Sequence, residues 1–125
     1  MTADDAIRRA ERYLDTAALV REDGDLETTC VSRAYYAMFY VARQWLQRMD
    51  VQTGTHQGLI NQFGLHAVKE GPVPARYGRM LRELRELREF AEYAEERVIT
   101  QEDAETALRS ADEFVERVGG LLRDG

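Results

Sequence analysis

Cysteine is almost absent. Cys30 stands alone, which excludes an intramolecular disulfide and any cysteine-based zinc site. Proline is scarce: Pro72 and Pro74 are the only two, so a single place in the chain carries a firm helix break. Among 17 cations Lys69 is the sole lysine, the rest being arginine. No apolar run approaches the roughly 20 residues that span a bilayer. The opening Met1-Thr2-Ala3-Asp4-Asp5 has neither the basic nor the apolar region of a secretory signal. A cytoplasmic protein with no membrane association is the expectation. His56 and His66 are the only histidines and lie outside metal-site spacing. A phosphate-cradling glycine loop and a Gly-x-Ser-x-Gly elbow are also missing. Neither a metal nor a cofactor is expected.

What remains is an ordinary globular composition. With 125 residues, 44% of them hydrophobic and 32% charged, the chain reads as one domain over 1–125 with a sizeable core. The 17 basic and 23 acidic residues give a net charge of −6, which argues against a general nucleic-acid coat protein. The acid is unevenly placed: residues 1–25 carry −3 and 99–125 carry −4, whereas 26–56 carry +1 and 57–98 are neutral. A phosphate-bearing ligand should therefore meet the middle of the chain.

Hydrophobic periodicity predicts helices throughout. Thr2 can cap a first helix with Asp4 and Asp5 in its opening turn, running through Ala6, Ala10, Tyr13, Leu14 and Ala17 until Gly24. A second, the most apolar, covers about Asp25 to Asp50. Thr55 caps a short third helix reaching Lys69, and Gly71-Pro72-Val73-Pro74 then breaks the chain. A fourth spans about Ala75 to Glu96, with Tyr77, Met80, Leu84, Leu87, Ala91 and Ala94 on one side. Thr100 and Asp103 form a capping-box variant opening a fifth. No strand signal or internal repeat interrupts the pattern. The fold class is all-α, an up-and-down four-helix bundle with a short additional helix.

Two features depart from a plain bundle. In helix 2, Val31, Tyr35, Met38, Phe39, Ala42, Leu46 and Met49 form the core stripe, while Arg33, Tyr36, Tyr40, Arg43 and Gln47 line the opposite side. That second face is aromatic and basic and contains no acid. Tyrosine and arginine are enriched at binding hot spots and also stack on bases and hold phosphates. The alternatives are a central helix covered on both faces, a dimer interface, and a ligand cleft. In helix 4, arginines at 76, 79, 82, 85 and 88 recur every third residue and spiral round the axis. The last four each precede a glutamate by four positions, a pattern of solvated pairs. Arg88 differs, because its angular position lies between Leu81 and Leu84 inside the apolar stripe. An arginine there must pair, snorkel or face a cleft. His56 sits at the start of helix 3, where free amide donors suit an anion.

These residues resemble a known family. The run Ser32-Arg33-Ala34-Tyr35-Tyr36-Ala37-Met38-Phe39-Tyr40-Val41-Ala42-Arg43 is very similar to the signature second helix of HEPN-domain proteins, nearest the small stand-alone prokaryotic branch. Thr55-His56-Gln57-Gly58 resembles that family's Thr-His-x-Gly segment, and Val68-Lys69-Glu70-Gly71 the turn after it. Arg88 through Tyr93 resembles its Arg-x-x-Ala-Asp-Tyr segment, with Glu92 where aspartate is usual.

The resemblance implies a HEPN-like bundle, a homodimer, and a minimal nucleotidyltransferase as partner, in a toxin–antitoxin pair or as an accessory subunit. It implies a nucleotide or RNA ligand held by Arg33, Tyr36, Tyr40, Arg43 and Lys69. Many such proteins are metal-independent ribonucleases with an Arg-x(4–6)-His motif. Arg88 matches that arginine, but Tyr93 stands where the histidine would be, and neither His56 nor His66 has the required spacing. Tyrosine is the poorer base near neutral pH. Candidate catalytic residues are Arg88, Tyr93 and His56, with His56 entering from another helix. Tyr93 is also a candidate for adenylylation by the partner. The expected function is nucleotide or RNA binding with a nucleotidyltransferase. An RNA endonuclease toxin and a ligand-free dimeric scaffold are the alternatives.

Overall fold

The computed structural model describes residues 2–21, 27–93 and 99–124, and of the side chains within them all but those of 21 and 91–93. It is an all-helical bundle, with no strand among the described residues. In order the elements are α1 (Ala3–Arg21), α2 (Glu27–Arg48), α3 (His56–Phe63), a π-helical turn (Gly64–Lys69), α4 (Ala75–Tyr93) and α5 (Gln101–Asp124). Four long helices and one short one make the expected architecture. No described helix is long and apolar enough to cross a membrane. The expected stop at Gly24, the start of helix 2 at Asp25 and the end of helix 4 at Glu96 lie outside the described residues.

Local sequence sets the helix starts. At α1 the Thr2 hydroxyl accepts from the Asp5 amide at 3.1 Å while the Asp5 carboxylate accepts from the Thr2 amide at 3.2 Å. Thr100 and Asp103 repeat the reciprocal pair at α5, at 3.0 and 3.1 Å. Both satisfy amides that a helix start would otherwise leave without acceptors. Thr55 caps α3 in an extended conformation, its hydroxyl accepting from the Gly58 amide at 2.9 Å. At the far end of α2 the Asp50 amide donates to the Gln47 carbonyl and the Val51 amide to the Leu46 carbonyl. Asp50 has φ of 59°. This is the Schellman pattern with a left-handed residue just past the helix.

The core is organised around α2, which packs against α1, α3, the π-helical turn, α4 and α5 alike. Val31, Tyr35, Met38, Ala42 and Leu46 are buried as the stripe predicts. Met49 is not: it is 44% exposed, because the Schellman turn reverses the chain there and carries it off the core. Phe39 is only partly buried. Ala6, Ala10 and Ala17 are fully buried on α1, and their small side chains let α1 sit close to α2. The second face of α2 is covered in part by α1, through Tyr13 on Tyr36 and Tyr40, while Arg33 and Gln47 stay exposed.

The π-helical turn and the proline segment fix where α4 begins. The Glu70 amide reaches the Leu65 carbonyl and the Val73 amide the Ala67 carbonyl. Gly71 sits so close to this turn that an added Cβ would lie 2.6 Å from the Ala67 carbonyl oxygen and 2.7 Å from that of His66. Gly71→Ala is expected to lower stability by about 1–3 kcal/mol through overpacking against backbone that cannot move aside. Gly64→Ala, whose added methyl meets nothing within 4 Å, is expected to be neutral or stabilising. Thermal denaturation of the two variants checks the contrast.

Candidate functional site

The start of α3 delivers His56 onto the aromatic side of α2. Its imidazole stacks on Phe39 with ring centroids 4.7 Å apart and also stacks on Tyr35 at 5.7 Å. The edge of Tyr36 meets it at 6.0 Å. His56 Nδ1 and the Tyr35 hydroxyl are hydrogen-bonded at 2.7 Å. The bond occupies Nδ1 and leaves Nε2 as the nitrogen open to a ligand. Burial pushes the Tyr35 hydroxyl up to about 12, against the opposing pull of Arg85 and Arg88, so Tyr35 keeps its proton across the physiological range.

From the other side α4 supplies the charge. The Arg88 guanidinium carbon lies 4.9 Å from the Tyr36 ring centre and 5.6 Å from that of Tyr35. Its place in the apolar stripe brings it into cation–π contact with the same two tyrosines that touch His56. Of the three arginine–glutamate pairs expected on α4 among described side chains, only Arg85–Glu89 closes, at 2.8 Å. Arg85 also donates to the Gln57 side chain at 2.6 Å, tying α4 to the first turn of α3. Burial first, then the charges of Arg88 and Arg85, hold His56 below its ordinary value of 6.5, with Glu89 opposing. The imidazole is neutral at physiological pH.

The remaining candidates divide. Tyr36 and Tyr40 sit half-buried with Tyr13 of α1, whose ring lies 6.2 and 5.4 Å from theirs. Arg43 lies over Tyr40 at 4.8 Å and Phe39 at 5.9 Å, and Arg33 lies over Tyr13 at 5.5 Å. Lys69 does not join them; it is exposed at the end of the π-helical turn. The side chain of Tyr93 lies outside the described residues. His66 bonds Gln62 at 3.1 Å and approaches Glu70 at 3.7 Å, within its own turn. Sequence reasoning assigned Tyr35 and Phe39 wholly to the core, and it missed Arg9, Tyr13, Gln57 and the docking of Arg85. Beside His56, between α2 and the 50–55 loop, lies a cavity of about 700 Å³ lined by Phe39, Arg43, Gln47, Asp50, Thr53 and His56.

The His56 environment makes stability pH-dependent with a definite sign. Because the folded ring resists protonation, the unfolded chain takes up the proton first as pH falls below 6.5. The stability is complete above that value and declines on acidification. His56→Gln is expected to flatten this decline. Melting temperatures followed from pH 7.5 to about pH 5, the range in which an unperturbed histidine titrates, should fall more steeply for the wild type than for the variant. Equal slopes would mean the ring titrates as it does in water.

Comparisons with known proteins meet the same region. A relative from Methanocaldococcus jannaschii, named as a "putative toxin", is 35% identical over 118 residues, which is 94% of this chain and 87% of the relative. A UPF0332 protein of Gloeobacter violaceus is 36% identical over 77 residues, 62% of this chain and 60% of the relative. Another UPF0332 protein, from Pyrococcus horikoshii, is 37% identical over 75 residues, 60% of this chain and 52% of the relative. The family model described as HEPN domain matches residues 3–121. That span runs from the first turn of α1 nearly to the end of α5, so the likeness rests on the whole bundle and not on α2 alone, and the chain belongs to the HEPN domain family.

Proposed function

We propose that this protein is a nucleotide- or RNA-binding component of a toxin–antitoxin pair, acting as a cytoplasmic homodimer with a minimal nucleotidyltransferase. One observation carries the reading. The Arg88 guanidinium and the His56 imidazole lie on the same two tyrosine rings, Tyr35 and Tyr36. A fixed cation, a neutral ring nitrogen and the half-buried Tyr36 ring, all seated on the fully buried Tyr35, together suit a phosphate carrying a base. The name of the Methanocaldococcus jannaschii relative supports the toxin role. Partner and dimer rest on the family resemblance of the α2 motif and the Arg88–Tyr93 segment.

Metal-independent RNA cleavage is the second reading, favoured by the position of His56. The α4 motif lacks its histidine, and α3 supplies one beside Arg88 instead. In such a reaction the ribose 2′-oxygen, losing its proton to a base, attacks phosphorus. The bond to the 5′-oxygen breaks, and that oxygen takes up a proton. A 2′,3′-cyclic phosphate remains. A histidine neutral at pH 7 can exchange either proton, while Arg88 steadies the charge on phosphorus.

Two variants separate these readings. Arg88→Ala is expected to stay folded and to lose at least tenfold in affinity for labelled nucleotide or RNA, together with any growth arrest on expression. An unfolded variant, or wild-type affinity, would sink the reading. His56→Ala is expected to abolish cleavage of RNA in the presence of a chelator if the protein is a nuclease. A wild-type protein that binds RNA without producing a cyclic phosphate end leaves binding as the function.

A further inference from the structure

Arginines in this bundle have different kinds of partner. Arg8, Arg76, Arg85 and Arg123 close ion pairs with Asp5, Glu113, Glu89 and Asp4. Arg48 lies over Trp45, yet its guanidinium is taken up by the Leu122 carbonyl. Arg9, Arg33 and Arg43 differ from both groups. Arg9 lies 4.0 Å from the centre of the Tyr40 ring and donates to the Tyr40 hydroxyl at 3.2 Å. Arg43 lies over the same ring, and Arg33 over Tyr13. Among the described residues none of the three pairs with a carboxylate. In a chain where acids outnumber bases 23 to 17, Arg33 is exposed and Arg9 and Arg43 half-buried, with no carboxylate among the described residues taking up their donors.

The rings beneath them are continuous with the His56 site. From His56 to Phe39 the centroids are 4.7 Å apart, from Phe39 to Tyr40 5.5 Å, and from Tyr40 to Tyr13 5.4 Å. At one end lies the cavity beside His56. At the other is a cleft of about 320 Å³ lined by Arg12, Tyr13, Thr16 and Arg33. We propose that Arg9, Arg33 and Arg43, carried on Tyr13, Tyr40 and Phe39, extend the Arg88 site into a track for a single-stranded RNA several nucleotides long. The proposal rests on the nucleic-acid reading above and adds to it the length of the ligand and the contribution of α1. A mononucleotide engages one end of such an array; a strand engages guanidiniums at successive rings. Alternating cations and aromatics suit an unpaired strand, whose phosphates and bases are both accessible. The Tyr13 hydroxyl is held below its ordinary value of 10, first by its bond to Tyr40 and then by Arg9 and Arg33, against burial.

The test measures affinity for a labelled mononucleotide and for labelled single-stranded RNAs of increasing length, across a salt series. For the wild type, affinity is expected to rise with length over several nucleotides. Arg9→Ala and Arg33→Ala are expected to lower affinity for the longer RNAs far more than for the mononucleotide. Each should also reduce the salt slope by about 0.7 per phosphate contact removed. Arg33 is exposed, so its variant should keep its fold even where Arg9→Ala does not. Length-independent binding, or wild-type slopes in both variants, overturns the track. If Arg88→Ala alone loses binding, the nucleic-acid reading survives and the track falls. If the α1 and α2 variants alone lose it, RNA binds at the ring-mounted arginines without Arg88, and the proposal that they extend the Arg88 site falls. Variants that change oligomeric state in light scattering while binding RNA normally would assign this face to a protein contact, which also overturns the track.

Discussion

The fold turns on a helix that touches every other described element. α2 packs against α1, α3, the π-helical turn, α4 and α5, so most of its polar side chains end inside the protein or at a seam between helices, while Arg33, Gln47 and Arg48 stay exposed. Its solution is tyrosine. Tyr35 is fully buried, yet its hydroxyl reaches His56 at the start of α3. Tyr36 and Tyr40 bury their rings against Tyr13 and keep contact with Arg88, Arg9 and Arg43. An amphipathic ring carries apolar area into the seam and leaves a polar tip at its edge. The same choice that lets α2 be central also produces a cationic, aromatic surface.

That surface is assembled by three helices whose starts and ends are fixed independently. Thr55 sets the first turn of α3 and hence the height of His56. Gly71 and the proline segment set the start of α4 and hence the turn on which Arg88 arrives. The small buried faces of Ala6, Ala10 and Ala17 bring α1 near enough for Tyr13 and Arg9 to reach Tyr40. Arg85, bonded to Gln57 and Glu89 together, then joins α4 to α3 directly. Each contributor to the site is thus located by packing elsewhere.

This division explains what the sequence could disclose. Capping pairs act within four residues, so the starts at Thr2, Thr55 and Thr100 were legible. Arg88 was legible as well, since a charge inside an apolar stripe is visible from angular position alone. The end of α2 was misread at Met49, because a left-handed Asp50 leaves no clear mark when the residue is not glycine or asparagine. Tyr35 was given wholly to the core because periodicity reports burial and says nothing of where a hydroxyl points. Arg9 and Tyr13 were missed for a deeper reason. Their meeting with Tyr40 depends on the relative register of α1 and α2, and no periodicity within one helix encodes it. The α1 half of the surface became visible only in three dimensions.

Charge is unevenly distributed over the bundle. Much of the acid is carried by α1 and α5, where Glu11, Asp15, Asp112 and Glu116 line or flank one groove together with a single arginine, Arg123. The ring-mounted arginines lie on the α1–α2 side. Under the proposed function, a polyanion is drawn to the guanidiniums clustered on the tyrosines and disfavoured at the acidic groove between α1 and α5. The net charge of −6, which at first sight argues against a nucleic-acid ligand, thus becomes compatible with one. Under the proposed function, such a ligand binds through a few phosphates at the ring-mounted arginines rather than through overall attraction. The prevalence of arginine over lysine acts in the same direction, because a guanidinium can lie flat on a ring and still present donors at its edge.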